Sequence, residues 1–186
     1  MTTSPQYDKS LLKNCGQDVF ISASVEIRRP HLVTVGNHVA VDSGVYITTQ
    51  AEIGDYVHLS PYITVIGGAK SKIIIDDFVS VAVGARIIAG SDRFLGDGLT
   101  SVTVPEEFRD TVEFSTIHLR RFSGIATNVV IFPSVTIGEG CVIGACSLVT
   151  GDTEPWTIYR GIPARPVKSR KQDVMVEYAK KLGYTY

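Results

Sequence analysis

Three side chains stand out as outward-facing proton acceptors in this chain of 186 residues: His58, His118 and Asp92. His58 and His118 each come one position before an aliphatic residue, Leu59 and Leu119, in a six-residue rhythm, and Asp92 takes the same place in its own six. If the aliphatic residues face inward, the residues before them face out. An imidazole suits general-base work near neutrality, whereas a carboxylate with a reference pKa of about 3.9 is a weaker base. A second group is cationic: Arg160, Arg165 and Lys168 crowd one short stretch. Guanidinium forks and an ammonium suit phosphate oxygens, and the same cluster also reads as a solvated tail. Trp156, the only tryptophan, suits either stacking on a flat ring or packing beneath a terminal helix. Arg93 and Arg109 could meet a diphosphate or an anionic sugar, in a stretch where Glu106, Glu107, Arg109 and Asp110 otherwise read as a solvated face. His31 and His38 lie in irregular sixes and read as structural or surface residues.

The elements that must position these groups follow from the rhythm itself. From Ile125 to Thr150 an aliphatic residue opens every six, at Ile125, Ile131, Ile137, Ile143 and Val149, with Val129, Val135, Cys141 and Ser147 four places later. Neither an amphipathic helix nor a plain strand has that period. A short strand followed by a tight corner does, which predicts a hexapeptide solenoid whose turns bury their anchors against one another. The rhythm starts near Val19 with Ile21 and Ile27, slips at Arg29–Leu32, and runs through Val35, Val41, Ile47, Ile53, Leu59 and Val65. After extra residues at Gly67–Lys72 it resumes at Ile75, Val81 and Ile87. It is then lost from Ser91 to about Thr116. Phe94, Leu95, Val102, Val104 and Phe108 make this break an ordered arm covering a site on this or a neighbouring subunit. Three regions result: a cap at 1–18 with a short helix over Asp8–Asn14, a solenoid at 19–154 with the arm at about 91–116, and a C-terminal segment at 155–186. In that last segment the prolines should end the ladder, and Lys171–Leu182 should form a helix that closes the coil through Val174, Tyr178 and Leu182.

Composition narrows the classes. With 18 basic against 19 acidic residues there is no electrostatic footprint for nucleic acid. Cys15, Cys141 and Cys146 form neither a disulfide framework nor a Cys-x-x-Cys pair. No leader and no apolar stretch long enough to insert in a membrane is legible, so a cytoplasmic protein is expected.

The hexads, with IGEGCVIGACSLVTGD followed by PWTIYRGIPARPV, resemble the hexapeptide-repeat acyltransferases, in particular the sugar acetyltransferases related to galactoside and maltose acetyltransferase. The segment Gly161–Arg165 resembles the Gly-x-Pro-Ala-(Lys/Arg) ending of the acetyl-CoA enzymes. The resemblance covers roughly Val19 to Lys168. It implies an all-β fold, a left-handed parallel β-helix, against the usual right-handed crossover rule. It implies a homotrimer with active sites between adjacent prisms, acetyl-CoA as co-substrate, no metal, and a sugar acceptor in surface-polysaccharide or O-antigen assembly.

Carried onto this chain, the resemblance implies an oxyanion-binding backbone amide near Thr127 and a pantetheine-binding amide near Ala145. It implies coenzyme A phosphate contacts at Arg160, Arg165 and Lys168, with Trp156 near the adenine or packed under the last helix. The catalytic histidine that the galactoside enzymes carry just before their long loop is replaced here by Asp92. His58 and His118 are the histidines that could restore a base. A hydroxyl acceptor needs a base poised near neutrality, whereas an amine needs only to arrive unprotonated and lose its second proton late. The expected activity is therefore acetyl transfer to the amino group of a nucleotide-linked deoxysugar, with O-acetylation of a sugar or glycan and a non-catalytic scaffold as alternatives. A zinc-dependent carbonic anhydrase on the same coil is rejected, since His31, His38, His58 and His118 lack its short His-x4-His pair.

Overall fold

The computed structural model describes residues 4–185. Short strands follow the six-residue rhythm and stack into three parallel walls around one apolar interior. The first wall runs Asn14–Cys15, Val33–Val35, Gln50–Ile53, Lys72–Ile75, Thr116–Leu119 and Thr136–Ile137. The second runs Phe20–Ile21, Ala40–Val41, His58–Leu59, Ser80–Val81, Gly124–Ile125, Val142–Ile143 and Thr157–Gly161. The third runs Glu26–Ile27, Tyr46–Ile47, Thr64–Ile66, Arg86–Ile88, Val130–Ile131 and Leu148–Val149. This prism is the hexapeptide solenoid predicted from the hexads, with the all-β parallel architecture that the resemblance implies.

Every anchor from Ile21 to Val149 is buried, and so are the small residues Val129, Val135, Cys141 and Ser147 four places on. Each buried Ile or Leu side chain contributes about 1.5–3 kcal/mol, so the interior is built from many equal increments rather than one centre. Corners turn through left-handed residues. On the edge between the first and second walls these include His38, Tyr56, Phe78, Phe122 and Trp156, each with φ between 52° and 62°. Their rings form a ladder: His38 on Tyr56 at 4.6 Å, Tyr56 on Phe78 at 5.2 Å, and Phe78 on Phe122 at 5.3 Å. Gly140 stands between Phe122 and Trp156 in this series. A Cβ there would lie 2.3 Å from the indole, so glycine lets Trp156 close over the corner and reach Phe122.

Four sequence expectations change. The first coil already includes Asn14–Cys15, paired with Val33–Val35, and the expected helix over Asp8–Asn14 is a single 3-10 turn at Lys9–Leu11. A two-residue strand carries too little of the hexad pattern to be read. The prolines do not end the ladder: Thr157–Gly161 adds a parallel strand to the second wall, and Ala164–Ser169 returns antiparallel beside it. Pro166 is tolerated because that strand is at the sheet edge and the register shifts at Ile158/Tyr159. The terminal helix, Asp173–Lys181, turns Ala179 inward, while Val174, Tyr178 and Leu182 are 57%, 59% and 54% exposed. A single row of apolar residues on a short helix does not say which face docks. In the arm, Asp110 is only 3% exposed rather than solvated. It accepts hydrogen bonds from the Phe94 and Thr111 amides and so ties the two ends of the arm together.

Candidate functional site

The edge between the second and third walls gathers the residues expected to bind a thioester's carrier. Thr127 and Ala145 stand at the same corner on successive coils, where the Cys146 amide donates to the Thr127 carbonyl at 2.9 Å. Among the described residues, neither the Thr127 nor the Ala145 amide donates to a protein acceptor. Both N–H groups are therefore spare donors, about 4.8 Å apart along the stack by strand spacing. Such donors suit a developing oxyanion and an amide-bearing chain lying along the edge.

The same edge leads to the cationic groups. The Gly144 amide donates to Tyr159 at 2.8 Å, and a Cβ on Gly144 would lie 3.2 Å from the Arg160 Cβ, so Arg160 sits one coil above the Ala145 corner. Arg160 pairs across the terminal hairpin with Arg165, and Lys168 lies further along the return strand opposite Ile158. All three are exposed. Trp156 lies apart from them, on the edge between the first and second walls, 5.8 Å from Phe122. Its place in the aromatic ladder is the packing alternative, away from Arg160, Arg165 and Lys168.

The three proton acceptors do not converge within one prism. His58 is on the second wall, its Nε2 2.8 Å from Asp42 Oδ2. His118 is on the first wall, opposite Ile74 and Thr136, with Nε2 2.8 Å from Asp76 Oδ1 and only 20% of its side chain exposed. Asp92 ends Gly90–Asp92, the root of the arm, paired antiparallel with Val112–Phe114 after the third wall. Three consecutive hexads serve three different walls, so a shared outward phase in the sequence does not mean a shared surface.

The arm root forms a largely apolar cavity lined by Ile88, Phe94, Leu95, Phe132 and Pro133, with Asp92, Arg93 and Glu113 at its polar side. Arg93 thus stays in the candidate acceptor region. Arg109 does not: its guanidinium donates to the Val102 and Val104 carbonyls and braces the arm. The cavity walls Phe132 and Pro133 were missed because hexad reading treats them as ordinary positions between Ile131 and Val135. The partners Asp42 and Asp76 were missed because they lie 16 and 42 residues from their histidines.

The first–second edge holds a separate polar knot. Asp55 accepts from the Asn37 amide at 2.7 Å and from the Tyr184 hydroxyl at 2.6 Å. Burial alone would raise the Asp55 carboxyl, but the bonds from the Asn37 amide, Tyr184 and the Asn37 side chain hold it below the usual range. Accepting that bond, Asp55 pushes the Tyr184 phenol up. Burial likewise raises the Cys141 thiol, as befits an inert interior residue. Among the described residues no cluster of three His, Cys, Asp or Glu could hold a metal ion, and no helix is long and apolar enough to cross a membrane.

No protein-family model matches the chain. It is 27% identical over 166 residues to a dTDP-4-amino-4,6-dideoxy-D-glucose acyltransferase of Escherichia coli, covering 88% of this chain and 85% of the relative. A probable macrolide acetyltransferase of Lysinibacillus sphaericus is 33% identical over 123 residues, 61% of this chain and 68% of the relative. Among solved structures, AntD, an N-acyltransferase from Bacillus cereus, superimposes with a TM-score of 0.88 at 30% identity over 94% of both chains. That form has one aspartate replaced by asparagine and is in complex with dTDP and coenzyme A. Another form of AntD holds dTDP-4-amino-4,6-dideoxyglucose with coenzyme A.

Proposed function

This chain belongs to the hexapeptide-repeat acyltransferases, and from that we propose that it transfers an acetyl group from acetyl-CoA to the amino group of a nucleotide-linked aminodeoxysugar. The observation that carries the reading is the likeness to AntD over 94% of both chains, an N-acyltransferase captured with an amino sugar nucleotide and coenzyme A. The setting that the resemblance implies is surface-polysaccharide assembly, and a cytoplasmic compartment suits three free cysteines.

In this reading the molecule works as a homotrimer. The second–third edge of one prism holds the co-substrate, and the arm of a neighbour closes over it. Arg160, Arg165 and Lys168 take the phosphates, the Ala145 amide takes the pantetheine arm, and the Thr127 amide takes the oxyanion. The acceptor lies in the apolar cavity at the arm root, with Arg93 towards its diphosphate. Asp92 draws in the acceptor ammonium and accepts its proton. The free amine then attacks the thioester carbonyl, forming the C–N bond. Collapse of the tetrahedral adduct breaks the C–S bond, and the departing thiolate takes up the second proton. Asp92 is favoured over His118 and His58 because it alone borders the arm cavity. That AntD was also prepared with an aspartate replaced is consistent with a carboxylate in this role.

A hydroxyl acceptor is the second reading, favoured by the His118–Asp76 pair, an imidazole held in place by a carboxylate. Thiol release from acetyl-CoA, measured with amino and hydroxyl forms of the same nucleotide sugars, separates the two. Release only with the amino forms is expected. Turnover of the hydroxyl forms alone would favour the second reading, and no turnover or coenzyme A binding would leave a scaffold.

A further inference from the structure

The chain does not end at the hairpin that carries Arg160 and Arg165. It turns back along the first–second edge and is fastened there at two points. The first is Arg170, whose guanidinium donates to the Phe122 carbonyl at 2.8 Å and the Gly140 carbonyl at 2.9 Å. The second is Tyr184, on a much earlier coil. Its ring meets Tyr56 and Phe78 edge-on at 5.9 and 5.0 Å, and its hydroxyl donates to Asp55 at 2.6 Å. The helix Asp173–Lys181 spans the interval with Ala179 buried beneath it.

We propose that this terminal segment is a strap that positions the hairpin, with Tyr184 as its latch. In a solenoid each coil is held only by its neighbours, so the last coil frays most readily. The return strand Ala164–Ser169 is the weakest part of that coil. It pairs on one side only, is mostly exposed, contains Pro166 and includes a register shift. The strap links this strand to a coil over a hundred residues earlier in the chain, with Asp55 and Tyr184 129 positions apart. A nearest-neighbour stack thereby gains a long-range tie. The bond to a charged carboxylate is of the stronger kind, so its loss lowers the closed-to-open ratio of the strap about tenfold or more. Tyr184 touches no expected reacting group; it is a positioning residue, and its effect on catalysis rests on the reading of Arg160 and Arg165 as coenzyme A phosphate contacts.

The test compares the full chain with Tyr184→Phe and with a chain ending at Leu182. Amide exchange is followed residue by residue, and KM for acetyl-CoA is measured beside kcat. Exchange in Thr157–Gly161 and Ala164–Ser169 should rise about tenfold in Tyr184→Phe and further in the truncation, with the middle coils unchanged. KM for acetyl-CoA should rise severalfold with kcat near wild type. Unchanged hairpin exchange in both variants overturns the strap, and so does an equal rise across every coil, which marks a general loss of stability. Faster hairpin exchange with unchanged KM keeps the strap and overturns instead the assignment of the arginines. That assignment is read separately from Arg165→Ala, where KM alone should rise.

Discussion

Asp92 is the residue on which the proposed chemistry turns, and its surroundings state what it has to do. A carboxylate at the polar side of an apolar cavity attracts an ammonium and accepts one proton, and it has little leverage over a neutral hydroxyl. Asp92→Asn should lower kcat by about 10²–10⁴ with KM for acetyl-CoA little changed, as measured by steady-state thiol release. His118→Asn should leave kcat within a few-fold in the same assay. A reversal of these two outcomes moves the base to the first wall and the acceptor towards a hydroxyl. The side chains' chemistry was legible in the sequence. Their walls were not, because the hexad phase tells in from out, while the wall a strand joins depends on its place in the series of stacked coils.

Among the elements, the first–second edge shows how corners add what strands cannot. The aromatic ladder and the Asn37–Asp55–Tyr184 knot lie outside the apolar interior and join coils distant in sequence. Asp55 titrates lower in the folded chain than in the unfolded one. Its stabilisation is therefore complete above the unfolded value near 3.9 and is lost as pH falls through the folded value. The denaturant midpoint should accordingly drop as pH is taken below about 4, and Tyr184→Phe should flatten that drop, in unfolding curves recorded across the acid range. Neither the ladder nor the knot was read from the sequence. Aromatic residues at corner positions look like surface residues until the stack brings one coil's ring over the next.

For the whole molecule, the arm is the departure from a regular coil. Phe94, Leu95, Leu99, Val102 and Phe108 remain exposed on one chain, although Asp110 and Arg109 hold the arm in a definite shape. An ordered, apolar protrusion of this kind suits closure over a neighbouring prism. The native mass should be three times 20.2 kDa by light scattering. Deleting residues 94–108 should abolish transfer while that mass and the melting temperature stay nearly intact. A collapse of the fold in that variant would make the arm part of the scaffold instead.

The order of aliphatic residues by itself pointed to a solenoid, since a period of six fits a short strand and a corner and fits neither an amphipathic helix nor a plain strand. It also marked the arm, by the loss of that period, and the phosphate-suited cations, by their type. Tertiary structure alone decided which wall each acceptor occupies, that Trp156 closes a corner, and that the end of the chain returns to Asp55. Those outcomes depend on contacts between coils that lie far apart in the sequence, and the six-residue period does not encode them.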